Sequence, residues 1–454
     1  MKRVLVPRFD SLGDLILLEG FLRRAAEHPG SVSLTLLVRQ GMLQLKPLFS
    51  TELTWLSSSL NPYTSKPDVG RAEELLALLI GGVWDEIWFT TFSKTWLDIL
   101  LAYRFPGIRQ VHLGALPLPD PQLALLLRQL NLLESPKSVD LVVVEKECHE
   151  FEKLRAFLGR VLDEEAAVLP EPSLRIPGSA RSSACAWLKA QNLRPKSFVA
   201  CIPAGGENVR IKSLPADCFA GLLAWLKNEM GYETLLVGHS AERGEISQVK
   251  DECIRRGVEP RVWIGFGDDL DILGALLQES LFYFGNDTGP MHLAAALGIP
   301  VVAVFGGGTW PRFLPIGKAS VAVREMPCFG CAWDCCFGDA PCVAKMPVET
   351  VRAALGDLIR RLPGQDRQLK IFRAEPYGDE TEDFIRKAAA QYRALQLVRS
   401  REVKHLEAAY WESEADRAAR LRVIEEQSKR IAQMDRDIVF LNDTIRAEKA
   451  QKGA

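Results

Sequence analysis

Short apolar runs alternate with stretches of helical periodicity through the first three-quarters of the chain. Val4-Leu5-Val6 is a solid apolar run, followed by the polar loop Arg8-Phe9-Asp10-Ser11-Leu12-Gly13-Asp14 and an apolar helical pattern over residues 15–27. Residues 33–38, 84–90, 110–113 and 141–144 have the length and composition of further buried strands. Strands separated by helical segments predict a parallel sheet with helices on both faces. Between residues 169 and 178 the pattern lapses, with Pro170, Pro172 and Pro177 close together, which predicts a link between two domains.

The rhythm then repeats. Residues 198–202, 234–237, 262–264, 281–284 and 301–305 read as strands, with helical patterns such as 219–230 and 270–277 between them. The second domain is expected to end near Leu362-Pro363-Gly364. From about Thr381 glycine and proline vanish until Gly453 and charge becomes dense. Ile424, Ile431, Ile438 and Ile445 recur every seven residues. Met434 and Leu441 fill two of the intervening d positions, Gln427 and Glu448 the others. This is a helix with a short, imperfect coiled-coil seam, suited to self-association or a helical partner, or else a single amphipathic helix packed on its own protein. The expected division is therefore 1–168, 178–363 and a helical tail over 375–454.

Length and composition agree with this partition. A chain of 454 residues exceeds one ordinary core. An apolar fraction of 47% with 25% charged residues is that of a globular enzyme. A net charge of −2 excludes a general attraction to nucleic acid or anionic membrane. The first apolar run is too short for a secretory signal, and no uncharged apolar run is long enough to span a bilayer, so a cytoplasmic location is expected.

The richest chemistry lies between residues 281 and 305. A short buried strand leads into Gly285-Asn286-Asp287-Thr288-Gly289, then Pro290 at a helix start, then the alanine-rich 291–297, Gly298 and Pro300, and the next strand. Thr288 or Asp287 can cap the helix, and proline is tolerated in its first turn. The loop falls at the carboxyl end of a parallel strand, where open α/β sheets bind ligands, and the helix N-terminus suits phosphate. Gly289 permits close approach of a ligand, and His292 in the first turn can donate to a phosphate oxygen; the alternative is that these residues only cap a helix and turn a loop. Two other loops are placed similarly. Pro203-Ala204-Gly205-Gly206-Glu207-Asn208-Val209-Arg210-Ile211-Lys212 suits a diphosphate, and Glu242 in the loop after 234–237 is either a ribose acceptor or a helix-start carboxylate. In the first loop, Asp14 is either a helix-dipole aspartate or a base for an acceptor hydroxyl. No GxGxxG follows a strand and no GxxxxGK[ST] occurs, which disfavours dehydrogenases and P-loop NTPases.

Together, Ser11-Leu12-Gly13-Asp14 and the run Asp287-Thr288-Gly289-Pro290-Met291-His292-Leu293-Ala294-Ala295-Ala296-Leu297-Gly298 resemble glycosyltransferase family 9, the ADP-heptose:lipopolysaccharide heptosyltransferases and their relatives. The resemblance implies a GT-B type α/β fold, with two Rossmann-like domains whose parallel sheets face a cleft. It implies an inverting transfer of a heptose or related sugar from a nucleoside diphosphate to a hydroxyl of a cell-envelope glycan, lipopolysaccharide or lipid-linked acceptor, at the inner face of the membrane and with no metal for catalysis. It assigns Asp14 as general base, and Lys212, Glu242, Asp287, Thr288, Gly289, Pro290, Met291 and His292 to the donor. The Lys212 loop and Gly306-Gly307-Gly308-Thr309-Trp310-Pro311-Arg312-Phe313 depart from the family pattern, and the tail lies outside it.

Five of ten cysteines, Cys328, Cys331, Cys335, Cys336 and Cys342, fall within fifteen residues. They are reduced packing thiols or ligands of a structural zinc or iron; the spacing matches no standard zinc pattern. Two other functions remain in view: a nucleotide-sugar epimerase on a similar fold, and a non-catalytic scaffold acting through its tail.

Overall fold

The computed structural model describes residues 1–30, 32–63, 68–165, 167–205, 209–265, 267 and 269–452; the side chain of Arg210 and many beyond Leu406 lie outside that description. Two parallel sheets organise it. In the first lobe the strands are β1 (Lys2–Pro7), β2 (Val32–Arg39), β3 (Thr54–Ser58), β4 (Glu86–Phe89), β5 (Arg109–Leu113) and β6 (Val139–Val142), in the order β3-β2-β1-β4-β5-β6. The second has β7 (Phe198–Ile202), β8 (Glu233–His239), β9 (Arg261–Gly265), β10 (Tyr283–Asn286), β11 (Val301–Phe305), β12 (Ala319–Val323) and β13 (Leu369–Arg373), in the order β13-β12-β11-β10-β7-β8-β9. The fold is thus α/β with the two doubly wound sheets that the sequence implied.

The helices of the first half are α1 (Leu12–Ala26), α2 (Val69–Ile80), α3 (Trp96–Arg104), α4 (Pro121–Gln129) and α5 (Glu150–Leu162). Those of the second are α6 (Gly178–Ala190), α7 (Ala216–Met230), α8 (Arg243–Arg255), α9 (Leu270–Glu279), α10 (Gly289–Ala296), α11 (Pro341–Ala344), α12 (Val348–Arg361) and α13 (Asp379–Lys452). Residues 1–117 and 134–393 form one compact unit, and 118–133 with 394–454 form another.

Both sheets obey one topological rule. In each, the first strand lies between the second and the fourth: β1 pairs with β2 and β4, and β7 with β8 and β10. The strand order reverses there, so the loops leaving the two central strands diverge and open a crevice at the carboxyl edge. The loops after β1, β7 and β10, singled out in the sequence for their chemistry, therefore all lie at such crevices.

Helix α1 is apolar on nearly every side, and Leu15, Ile16, Leu18, Phe21 and Leu22 are all fully buried. A helix without a polar face needs cover on every side, and α1 packs against α5 of its own lobe and α10 of the other. Phe21 meets Trp88 and Phe157 edge-on at 5.9 and 5.8 Å. The proline-rich link crosses this helix at Gly20, where a Cβ would stand 2.0 Å from the Pro170 carbonyl oxygen. Glu19, buried in the same turn, accepts from the Ser173 N–H at 2.7 Å and pairs with Arg23 at 3.0 Å.

Three strands escape the hydrophobic pattern: β3, β12 and β13. β3 and β13 are edge strands with half-exposed, partly charged sequences, TWLSS and LKIFR. β12 is the short, small-residue run ASVAV. The second sheet thus gains a strand beyond Gly364, where the sequence suggested the domain would end.

Candidate active site

A cavity of about 460 Å³ opens between the lobes, with Ser11, Leu12, Met42 and Gln44 from the first and the remaining wall from the second. That volume lies within the range of small-molecule sites, roughly 300–1,000 Å³. Lys212, Glu242, Thr288, Gly289 and Pro290 line it, so five of the residues expected at a donor site share one cavity. The apolar part of the wall comes from Val237, Trp263, Leu270 and Leu273.

The local folding of each loop explains these placements. Lys212 ends a short 3₁₀ turn, Arg210–Lys212, folded tightly over Gly205. A Cβ on Gly205 would lie 2.6 Å from Ser213 Oγ and 2.8 Å from the Val209 carbonyl oxygen, so the turn requires glycine. Gly206, Glu207, Asn208 and the Arg210 side chain, also expected near a diphosphate, lie outside the described residues. Asn286 pins the loop from below: its amide donates to the Pro203 carbonyl at 2.7 Å and accepts from the Leu214 N–H at 3.2 Å. Glu242 accepts from the His239 N–H at 2.9 Å, so it caps a turn, and it also lines the cavity.

Thr288 is the N-cap residue of α10, but its hydroxyl turns back to Tyr283 Oη at 3.1 Å. Among the described residues no side chain caps α10, which leaves N–H groups of its first turn available to an anion. Met291 points into the core. His292 does not line the cavity. It is buried against Gly13, whose Cβ position lies 2.7 Å from the imidazole Cδ2, and beside Phe313. Its Nδ1 has no partner among the described residues, and burial pushes its pKa down to about 3, so the ring is neutral.

On the opposite lobe Ser11 is the N-cap of α1 and Asp14 the third residue of its first turn. Asp14 Oδ2 accepts from the Ser11 hydroxyl at 2.6 Å and the Ser11 N–H at 3.3 Å. Its Oδ1 lies 3.3 Å from Arg8 Nη2. Arg8 is fully buried and serves three carboxylates: Asp14, Asp10 at 2.8 Å and Glu150 at 3.2 Å. Burial works against its charge, but the three acids outweigh that and raise its pKa. Burial, opposed by Arg8 and reinforced by Asp14, pushes the Asp10 carboxyl up to about 7. Burial also raises the pKa of Asp287, against the pull of Lys212 and the Thr309 hydroxyl. Asp10 stood out in the sequence only as a member of the first polar loop, and Glu150 and Arg312 had no expected role. Nothing local marks the pairing of Glu150 with Arg8 and Arg312, which lie 142 and 162 positions away in the chain.

The five clustered cysteines do not form a metal-holding arrangement: among the described residues no group of three or more His, Cys, Asp or Glu side chains could hold an ion. Burial, reinforced by neighbouring thiols, lifts Cys328 to about 12; burial likewise lifts Cys342 to about 11. The segment instead packs Phe329 and Trp333 onto Gly307 and Gly308, where any Cβ would overlap those rings. It also receives the root of α13: Tyr392 donates to Asp334 at 2.7 Å, and Arg393 to the carbonyls of Cys328 and Phe329, both at 3.0 Å.

Two doubly wound lobes with a cleft between them are also the arrangement to which the comparisons with known proteins lead. Residues 134–334 match the model of glycosyltransferase family 9 (heptosyltransferase). Among curated proteins none matches the chain significantly. A solved structure of a family 9 glycosyl transferase from Veillonella parvula DSM 2008 is similar, with a TM-score of 0.62 and 17% identity, covering 79% of this chain and 98% of its own. The ADP-heptose LPS heptosyltransferase II of E. coli gives 0.56 and 19%, covering 80% and 100%. The E. coli heptosyltransferase WaaC with ADP-2-deoxy-2-fluoro heptose gives 0.50 and 17%, covering 78% and 99%. At these identities the likeness establishes the fold. No helix among the described residues is long and apolar enough to cross a membrane.

Proposed function

We propose that the protein is an inverting glycosyltransferase that moves a heptose or a related sugar from a nucleoside diphosphate, ADP-heptose in the first instance, to a hydroxyl of a lipopolysaccharide, cell-envelope glycan or lipid-linked acceptor. The observation that carries this reading is the cavity itself, with Lys212, Glu242 and the uncapped N-terminus of α10 on one lobe and Ser11 and Leu12, which lead into Asp14, on the other. The names of the similar E. coli enzymes support the choice of sugar and acceptor.

In this reading the nucleoside lies along Trp263, Val237 and Leu273, with a ribose hydroxyl donating to Glu242 and the diphosphate over Lys212 and α10. Asp14 takes the proton of the acceptor hydroxyl as its oxygen attacks the anomeric carbon. The bond to the diphosphate breaks on the opposite face, inverting the centre. Negative charge gathers on the leaving diphosphate, where a cation and aligned N–H groups stabilise it most.

Thermal-shift screening against ADP-, UDP-, GDP- and TDP-sugars tests the donor, because a ligand that binds only the native state raises its melting temperature. ADP-heptose is expected to give the largest shift. Consumption of donor without any acceptor would point instead to an epimerase, and absence of any nucleotide-dependent shift to a scaffold. Asp14→Asn is expected to lower transfer about 10²–10⁴-fold, the usual worth of a general base. Because Lys212 and α10 supply the positive charge, dialysis against a chelator is expected to leave turnover unchanged.

A further inference from the structure

Behind Asp14 a chain of ionic groups runs from one lobe into the other. Arg8 Nη2 lies between Asp14 Oδ1 at 3.3 Å and Glu150 Oε1 at 3.2 Å. The other oxygen of Glu150 meets Arg312 Nε at 2.7 Å. Arg312 belongs to the loop after β11, in the opposite lobe. The backbone reinforces this crossing, since the Glu150 N–H donates to the Arg312 carbonyl at 2.9 Å and His149 Nε2 lies 2.8 Å from the Leu314 carbonyl oxygen. The same loop reaches the donor side, where Thr309 Oγ1 donates to Asp287 at 3.3 Å.

Two features single this chain out from ordinary surface pairing. Arg8 and Glu150 have no solvent-exposed side-chain surface, and Arg312 is 21% exposed at the rim. A buried charge stripped of its partner is costly, so each member needs the next. Arg8 is also held at Nε by Asp10 and at Nη1 by the Thr90 carbonyl, which fixes its plane and leaves Nη2 as the position shared by Asp14 and Glu150.

We propose that Glu150 and Arg312 are positioning residues: through Arg8 they tie the orientation of the Asp14 carboxylate to the approach of the two lobes. The inference rests on Asp14 being the base. When the Arg312 loop is seated on the start of α5, Glu150 is neutralised and Arg8 is held for Asp14. When it is not, Glu150 draws Arg8 away and the base loses its alignment. The groups that face this cluster are Arg8, Asp10 and Asp14 from the first loop, Cys148 and His149 just before α5, Glu150 and Lys153 from α5, Tyr63 from the segment before α2, Lys94 and Asp98 around the start of α3, Arg312 from the β11 loop and Asp287 from the β10 loop.

The test uses the full chain with ADP-heptose and a lipopolysaccharide acceptor, and compares Glu150→Gln, Arg312→Met, Arg312→Lys and the double variant Glu150→Gln/Arg312→Met. Arg312→Met is expected to lower kcat ten- to a hundredfold while the Kd for ADP, by calorimetry, stays within threefold. Arg312→Lys recovers at least half of that loss on a logarithmic scale. The double variant is no worse than the poorer single one, because both break the same link. The acidic limb of the pH–rate profile moves to lower pH in Glu150→Gln, which removes a negative charge, and to higher pH in Arg312→Met, which removes a positive one. Glu150 is fully buried, so Arg312→Met at the rim carries the test if Glu150→Gln does not fold. If Asp14→Asn is inactive but Arg312→Met keeps kcat within twofold of the parent, the positioning role is wrong. Activity retained by Asp14→Asn would instead overturn the assignment of the base on which it rests.

Discussion

Both oxygens of Asp14 are engaged, one by Ser11 and one by Arg8. A carboxylate held at both ends is fixed in direction; Oδ2 takes two bonds from Ser11, while Oδ1, with one bond from Arg8 among the described residues, keeps a lone pair for a proton. Lys212 is a different kind of residue. It brings a cation to the wall of the cavity between the lobes, and a hydrogen bond to a charged group contributes about 1.5–3 kcal/mol. Lys212→Met is therefore expected to weaken ADP binding roughly 10- to 100-fold, with the loss smaller at high salt, as titration calorimetry at two ionic strengths would reveal. His112 lies away from the cleft, stacked on Phe89 at 4.3 Å, and burial pushes its pKa down to about 3. The folded protein keeps this ring neutral, while the unfolded chain takes up a proton below its ordinary pKa of 6.5. Its contribution is intact above pH 6.5 and is lost as pH falls toward 3. At pH 5 the cost is about 2 kcal/mol. His112→Asn is expected to flatten the fall in stability between pH 6.5 and 4 in urea titrations; an unchanged slope would contradict it.

Among the elements, α1 and α10 meet with their N-termini together. A Cβ on Gly289 would sit 2.9 Å from Leu12 Cβ, and one on Gly13 would sit 2.7 Å from the His292 ring. Neither glycine has a left-handed backbone, so each is there for close approach between lobes. Gly289→Val is expected to hold the lobes apart, lowering kcat at least tenfold and the melting temperature by several degrees, as turnover and calorimetric scans would register. Much of this was legible beforehand. β7 and β11 coincide with their apolar runs, and Pro290 with Gly298 bracketed α10. β3 and β13 were not legible, because an edge strand needs no apolar alternation when half of it faces water. Nor was the role of Gly13, whose neighbour His292 is 279 positions away in the chain.

At the scale of the molecule, the tail divides in two. Its root belongs to the compact unit: Ile385 and Ala389 are buried, and Tyr392 and Arg393 grip the cysteine-rich segment. Further on, Ile424 and Met434 are 57% and 58% exposed, while the side chains of Ile431, Ile438, Leu441, Ile445 and Glu448 lie outside the described residues. We propose that this outer part pairs with a second copy. Truncation after Arg393 rather than after Leu362 separates it without removing β13. The truncated chain is expected to show a lower mass in light scattering than the full chain and to keep its nucleotide-induced thermal shift. An unchanged mass number per protomer would count against self-association.

The two parallel sheets, the link between them and the loops that carry Asp14, Lys212, Glu242 and Thr288 were written in the order of the residues. These follow from local periodicity, and the carboxyl ends of parallel strands are the same place in every such sheet. It took the folded molecule to show that His292 turns into the lobe interface rather than the cavity, that Phe329 and Trp333 of the cysteine-rich segment pack on a glycine-rich loop, and that Arg8, Glu150 and Arg312 join one lobe to the other. Contacts of that kind depend on how two independently patterned halves are set against each other, and no periodicity within either half encodes that.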